Sequence, residues 1–210
     1  MRLADIEKAY ATRVDVHWRA FPLLPDNRPG RRSTQHTRDS RQRAGAEEPR
    51  ARFTLPELGI ELPASSLPAL TAAKGAERQG TDVFTAFHHG LFAAHFRDNL
   101  DISRAEVLWR LAQGSGLDMT RFQQDCASGE PHQAVLHDYA EAVAWFGVSA
   151  LPTVVFNEKV SLVGAVPAEQ YRLLIEWMLA GEPGGLIPLD FGDPATSAAG
   201  QSAVGQADAT

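Results

Sequence analysis

Cysteine is almost absent from this chain. Cys126 is the only one among 210 residues. A lone thiol closes no intrachain disulfide, and no Cys-x-x-Cys pair exists in these residues. Excess positive charge is lacking too. A net charge of −6 and a pI near 5.6 exclude a nucleic-acid or anionic-membrane binder as a whole. No apolar run reaches the roughly 18 residues of a membrane span. Met1-Arg2-Leu3-Ala4-Asp5-Ile6-Glu7-Lys8 holds acids and no apolar stretch, unlike a signal peptide. Gly-x-Ser-x-Gly, phosphate-loop and dinucleotide-binding glycine patterns are missing. No His-x-x-x-His pair occurs. His88 and His95 share a helix face but stand about 10.5 Å apart along it, too far for one ion that needs nitrogens within about 2.1 Å. His132 and His137 do not face each other. The sequence therefore predicts no metal, no cofactor and no catalytic side chain of its own. These absences describe a soluble, cytoplasmic protein.

What remains is a chain that can build a core, with 44% apolar residues. Leu3, Ile6 and Tyr10 give a short amphipathic helix over 2–12. Val14, Val16, Trp18 and Ala20 alternate with Asp15, His17 and Arg19, predicting a strand over Val14–Phe21 that Pro22 ends. Residues 28–52 hold eight arginines against three acids and no Ile, Leu, Val or aromatic residue. They read as a solvated, mobile loop or a weak helix; a nucleic-acid contact would need interleaved aromatics. Helices follow from Leu67 to about Trp145. One begins at Thr81 and carries Phe84, Phe87, Leu91, Phe92 and Phe96. Another starts at the capping box Ser103–Glu106. Asp118 caps a third, with Met119, Phe122 and Cys126, and a last one runs from Glu130 to Phe146 and stops at Gly147. Cys126 lies beside Asp125, whose charge raises a thiol's pKa, so it reads as a half-buried packing residue, with a redox-sensing thiol as the alternative. Thr153–Phe156 and Val160–Val163 form a hairpin around the polar tip Asn157-Glu158-Lys159. A helix from Ala168 to Ala180 buries Tyr171, Leu174, Ile175 and Met178. Residues 182–210 carry four acids and no basic residue, which predicts a disordered acidic tail over 183–210.

Gly147-Val148-Ser149-Ala150-Leu151-Pro152-Thr153-Val154-Val155-Phe156-Asn157 resembles the cis-proline loop and following strand of thioredoxin-fold proteins. The resemblance is narrower to the DsbA family and its FrnE-like branch of dithiol–disulfide oxidoreductases. Trp18-Arg19-Ala20-Phe21-Pro22-Leu23-Leu24-Pro25-Asp26 resembles that branch's "WRxFxLxPD" strand. Phe84, Phe87, His88, Leu91, Phe92, Ala94, Phe96 and Asp101-Ile102-Ser103 are similar to its helical insertion. The likeness covers roughly 3–25 and 65–182.

The resemblance implies an α/β, thioredoxin-like fold with a helical insertion domain. It divides the chain into a discontinuous thioredoxin-like domain (1–25 and 148–182), a polar, basic linker (26–64), the insertion (65–147) and the tail (183–210). It implies that Leu151, Pro152 and Thr153 bind the substrate's extended chain. The family's first strand and Cys-x-x-Cys would lie upstream of Met1, so the chain reads as N-terminally truncated and redox-inactive as it stands. The partner implied is a thiol- or disulfide-containing polypeptide or a small thiol, with no nucleic acid and no membrane. Two alternatives stand beside the oxidoreductase or isomerase. One is a non-catalytic, chaperone-like peptide-binding module. The other is the branch of kappa-class glutathione transferases and 2-hydroxychromene-2-carboxylate isomerases.

Overall fold

A computed structural model describes residues 2–182; the acidic tail expected over 183–210 lies outside the described residues. Eight α-helices, one π-helical turn and one two-stranded sheet are described: α1 Arg2–Ala9, α2 Gln35–Glu47, α3 Leu67–Glu77, α4 Thr81–Phe92, the π turn Ala93–Arg97, α5 Ala105–Gly114, α6 Met119–Ser128, α7 Glu130–Ala144, β1 Thr153–Phe156, β2 Val160–Val163 and α8 Ala168–Leu179. None of these helices is long and apolar enough to cross a membrane. The described residues form two compact units: 17–150 with 155–161, and 2–16 with 151–154 and 162–182.

The first unit is a helical body. Its core joins Ala69, Ala72, Ala73 and Ala76 of α3 to Phe87, Leu91, Leu108, Ala112, Leu117 and Phe122. The alanines keep the surface of α3 low, so α4, α5, α6 and α7 all approach it closely. Two starts follow directly from sequence. Asp118 Oδ1 accepts from the Thr120 and Arg121 amides at 2.9 and 3.1 Å and so caps α6. Pro131 sits in the first turn of α7, where its missing N–H costs nothing. Gly147 ends the chain's descent from α7 at φ +59°, a backbone state that a side chain resists.

Two expectations change. The strand predicted over Val14–Phe21 is absent, and the only sheet among the described residues is β1–β2. The alternation survives in the burial only over 17–20: Ala20 is buried and Trp18 half-buried, His17 and Arg19 are exposed, but Val16 is exposed as well. Period 2 reports an extended backbone with one packed face. A strand also needs a ladder partner, and here the Ala20 N–H donates to a side chain instead, Asp138 Oδ2 at 2.8 Å.

The basic stretch is ordered rather than a solvated loop. Thr34 and Thr37 form a reciprocal cap that opens the 13-residue helix α2. Residues 28–33 run antiparallel to 59–64, with an Arg32–Glu61 bridge and bonds from Ser33 N to Ile60 O and Leu62 N to Arg31 O at 2.9 and 2.8 Å. The arginines supply the donors that this strandless segment needs. Arg31 donates to Pro63 O, Arg32 to Gly59 O and Arg38 to Pro56 O. Arg41 is buried at 6% exposure and has no carboxylate partner among the described residues. It donates to Thr54 O, His95 O and the Asn99 side chain, and its guanidinium lies over Phe96 at 5.4 Å. The His95 carbonyl belongs to the π turn that ends α4, where backbone carbonyls lack helical partners and carry partial negative charge. The end of the helix thus takes the place of a counter-ion.

In the second unit α1 packs on α8, burying Ile6 and Tyr10 alongside Tyr171, Leu174 and Ile175. Arg2 Nη1 donates to the carbonyls of Ala165 and Val166 at 2.8 and 3.0 Å and fastens α1 to the loop before α8.

Candidate functional site

The proline loop comes first, because the chemistry expected of this chain centres on it. The Leu151–Pro152 peptide bond is cis. Pro152 O accepts from Gly164 N at 2.7 Å, which closes the open end of the hairpin. At the far end Lys159 N donates to Phe156 O at 2.9 Å across Asn157 and Glu158, both at positive φ (45° and 58°). Two such residues make the turn that matches a hairpin's twist. The hairpin therefore fixes the loop from behind. Leu151 and Pro152 are exposed and Thr153 half-buried. Among the described residues, neither the N–H nor the C=O of Leu151 has a hydrogen-bond partner. Leu151 is 41% exposed, and Val163, next to Gly164, is 56% exposed. An exposed, unpaired N–H and C=O with apolar flanks, directly before a strand, are groups that an incoming chain can pair with.

No acid, base or nucleophile belongs to that loop. Cys126 is on α6 in the helical body, half-buried. Burial pushes its thiol pKa up, and the neighbouring Asp125 carboxylate pushes it further the same way. That is the opposite of the electropositive setting that activates a thiolate.

A second constellation, which the sequence reading missed, joins α3, α7 and the Trp18–Ala20 segment. Lys74 Nζ is 2.8 Å from Asp138 Oδ2, and the side chains are only 7% and 5% exposed. Asp138 Oδ2 also accepts from Ala20 N, and Arg19 Nη1 approaches Oδ1 at 3.8 Å. Lys74 has a second carboxylate in Glu77 at 2.9 Å and lies 4.8 Å from the centre of the Trp18 ring. Trp18 in turn meets Phe84 and His88 at 5.3 and 5.0 Å. His88 stacks on Phe84 and meets Phe92 edge-on, so burial, followed by the charge of His89, depresses its pKa to about 4. His95 is likewise pushed to about 4, by burial first and then by Arg41 and Arg31. Lys74 and Asp138 lie far apart in sequence. The one local signal was a lysine in the middle of an alanine-rich helix whose neighbours are all core residues.

His137, Asp138 and Glu141 bring ligand atoms within 4.8 Å of one another, the one such trio among the described residues. Asp138 is already engaged by Lys74 and the Ala20 amide, so the trio reads as part of the ion-pair node.

A helix-rich chain with one small hairpin that opens at a cis-proline defines the class, a thioredoxin-like fold. The chain belongs to a family described as Thioredoxin, whose sequence model matches residues 54–172, more than half of its length. The crystal structure of a proposed protein disulfide isomerase from Nitrosomonas europaea superposes with a TM-score of 0.70 at 20% identity, covering 85% of this chain and 89% of that one. A curated relative, the ClpXP adapter protein SpxH of Halalkalibacterium halodurans, is 29% identical over 125 residues. That match takes in 57% of this chain and spans 40% of the relative's length.

Proposed function

We propose that this chain binds extended polypeptide through Leu151, Pro152 and Thr153, and that it descends from DsbA/FrnE-like thiol–disulfide oxidoreductases or isomerases. The observation that carries the reading is the unpaired, exposed backbone of Leu151 on a loop anchored from behind by the hairpin. The incoming chain pairs with that backbone, and Leu151 and Val163 supply apolar contacts on either side. The dithiol step is not carried by these residues, which hold one cysteine, on α6, with a raised pKa. The single thiol also supports a reducing, cytoplasmic setting.

A labelled extended apolar peptide, titrated with the purified chain and followed by fluorescence anisotropy, tests this. Saturable binding is expected, with Leu151→Asp weakening it about tenfold, a loss of about 1.4 kcal/mol. Pro152→Ala weakens it as well, while both variants keep the wild-type circular dichroism spectrum. The same protein is expected not to accelerate insulin reduction by a dithiol. Peptide binding indifferent to both substitutions would overturn the assignment of the loop, and robust insulin reduction would overturn the redox-inactive reading.

The relative that is a ClpXP adapter protein favours a second reading: a binding module that delivers polypeptide to other machinery without redox chemistry. Its mark would be peptide binding that is unchanged by alkylation of Cys126.

A further inference from the structure

The helical body contains an open cleft of about 550 Å³ that no proline-loop residue lines. It lies between the first turns of α3 and α5 on one side and α6 with the start of α7 on the other. Its volume is that of a small-molecule site. The floor is apolar, with Leu67, Leu108 and an aromatic corner in which Trp109 and Phe122 meet edge-on at 5.3 Å and 88°.

The polar groups around it fall into two sets. Two hydroxyls are already spent. Ser65 Oγ donates to Leu24 O and accepts from Leu67 N, and Ser103 Oγ is bonded to Asp101. Asn27, Thr71 and His132 have no side-chain hydrogen-bond partner among the described residues, although each lines the cleft. No aspartate, glutamate, lysine or arginine lines it. A ligand with a formal charge would lose its hydration there without gaining a counter-ion. A flat apolar ligand would cover the half-buried Trp109, behind which Phe122 is already dry, and drive water off the indole. One carrying a hydroxyl or carbonyl would also answer the three idle polar side chains.

We propose that this cleft binds a small, uncharged aromatic molecule bearing a hydrogen-bonding group. The Cys126 thiol, also in the lining, gives a reporter inside the site.

The test uses the full chain and 2-naphthol as the probe, with naphthalene-2-sulfonate and cyclohexanol as its charged and non-aromatic counterparts. Calorimetry is expected to give saturable 2-naphthol binding with a Kd at or below about 100 µM, and at least about tenfold weaker binding of the other two. Saturating 2-naphthol is expected to slow iodoacetamide labelling of Cys126 about fivefold, as access to the thiol is closed. Ala105 lines the cleft from the exposed start of α5, so Ala105→Trp fills the space without touching the core. It should abolish 2-naphthol binding while leaving thermal unfolding and peptide binding at the proline loop unchanged. Absence of binding up to about 1 mM, equal binding of the sulfonate, or undiminished binding by a folded Ala105→Trp variant would each overturn the proposal.

Discussion

Removing one partner of the Lys74–Asp138 pair tests the account of the helical body most directly. Both side chains are less than a tenth exposed and 2.8 Å apart. Breaking a buried pair from one side strands a charge in a poor solvent and costs about 3–5 kcal/mol. The two ends are not equivalent. In Lys74→Met, Asp138 keeps the Ala20 N–H at 2.8 Å and Arg19 at 3.8 Å, which hold part of the negative charge. In Asp138→Ala, Lys74 keeps Glu77 at 2.9 Å, but the amide of Ala20, a residue 1% exposed, loses its acceptor. A buried amide left without an acceptor costs about 1–3 kcal/mol by itself. Asp138→Ala is therefore expected at the upper end, about 5 kcal/mol, and Lys74→Met at the lower end, about 3 kcal/mol. Urea unfolding followed by far-ultraviolet circular dichroism at pH 7 measures both. The double variant Lys74→Met/Asp138→Ala removes both charges together and should lose at least about 2 kcal/mol less than the sum of the singles. Singles costing under about 1 kcal/mol, or effects additive to within about 0.5 kcal/mol, would refute the reasoning.

Three further outcomes follow from other sites. His88 and His95 fall from an ordinary value of 6.5 to about 4 in the folded chain, so the unfolded chain binds more protons between those values. The stability they contribute is complete above pH 6.5 and falls as the pH drops toward 4, by about 3 kcal/mol for each histidine; His88→Phe keeps the ring stack and should remove about half of that slope in urea midpoints measured from pH 7 to 4. A methyl group on Gly75 would meet Phe122 Cε2 at 3.2 Å and Cys126 Sγ at 3.3 Å. Gly75→Ala gains about 1 kcal/mol of helix propensity but loses about 1–3 to overpacking, so a net destabilisation is expected, with Cys126→Ala in the same chain relieving part of it in thermal unfolding. Arg41→Met removes the donor to the Thr54 and His95 carbonyls and should cost about 2–4 kcal/mol in urea unfolding, whereas exposed Arg43→Met should cost less than about 0.5.

The helices were legible because their signals are local. The Asp118 cap, Pro131 in a first turn and the left-handed Gly147 each act within a few residues of the backbone they govern, and the structure repeats them where the sequence put them. The hairpin was legible for the same reason, since strand formers on either side of Asn157-Glu158 leave the chain one short-range option. The fold class came from motif likeness, and the placement of Leu151 and Pro152 on an exposed loop agrees with the role the likeness implied, which the peptide titration tests. Val14–Phe21 misled because alternation records which face is buried, and Trp18 and Ala20 do face inward. It does not record whether a neighbouring strand is present to receive the amides.

Residues 28–52 misled in the opposite sense. Without Ile, Leu, Val, Phe, Tyr or Trp they have little apolar surface to bury, and composition reads them as a solvated loop or a weak helix. Their order comes from guanidinium groups reaching the carbonyls of Thr54, Pro56, Gly59, Pro63 and His95. An arginine's worth depends on which orphan carbonyls stand within reach, and no composition or period carries that.

By itself, then, the sequence determined where α6 and α7 start, where the hairpin turns, and that these residues hold no dithiol, because each of those depends on residue identity and near neighbours. Only the tertiary structure decided that Lys74 and Asp138 meet, that Arg41 rests on the end of α4, that Leu151 keeps its backbone unpaired, and that Cys126 lines a cleft. Those depend on residues brought together from distant parts of the chain, and their energies come from burial and pairing that do not exist until the chain has folded.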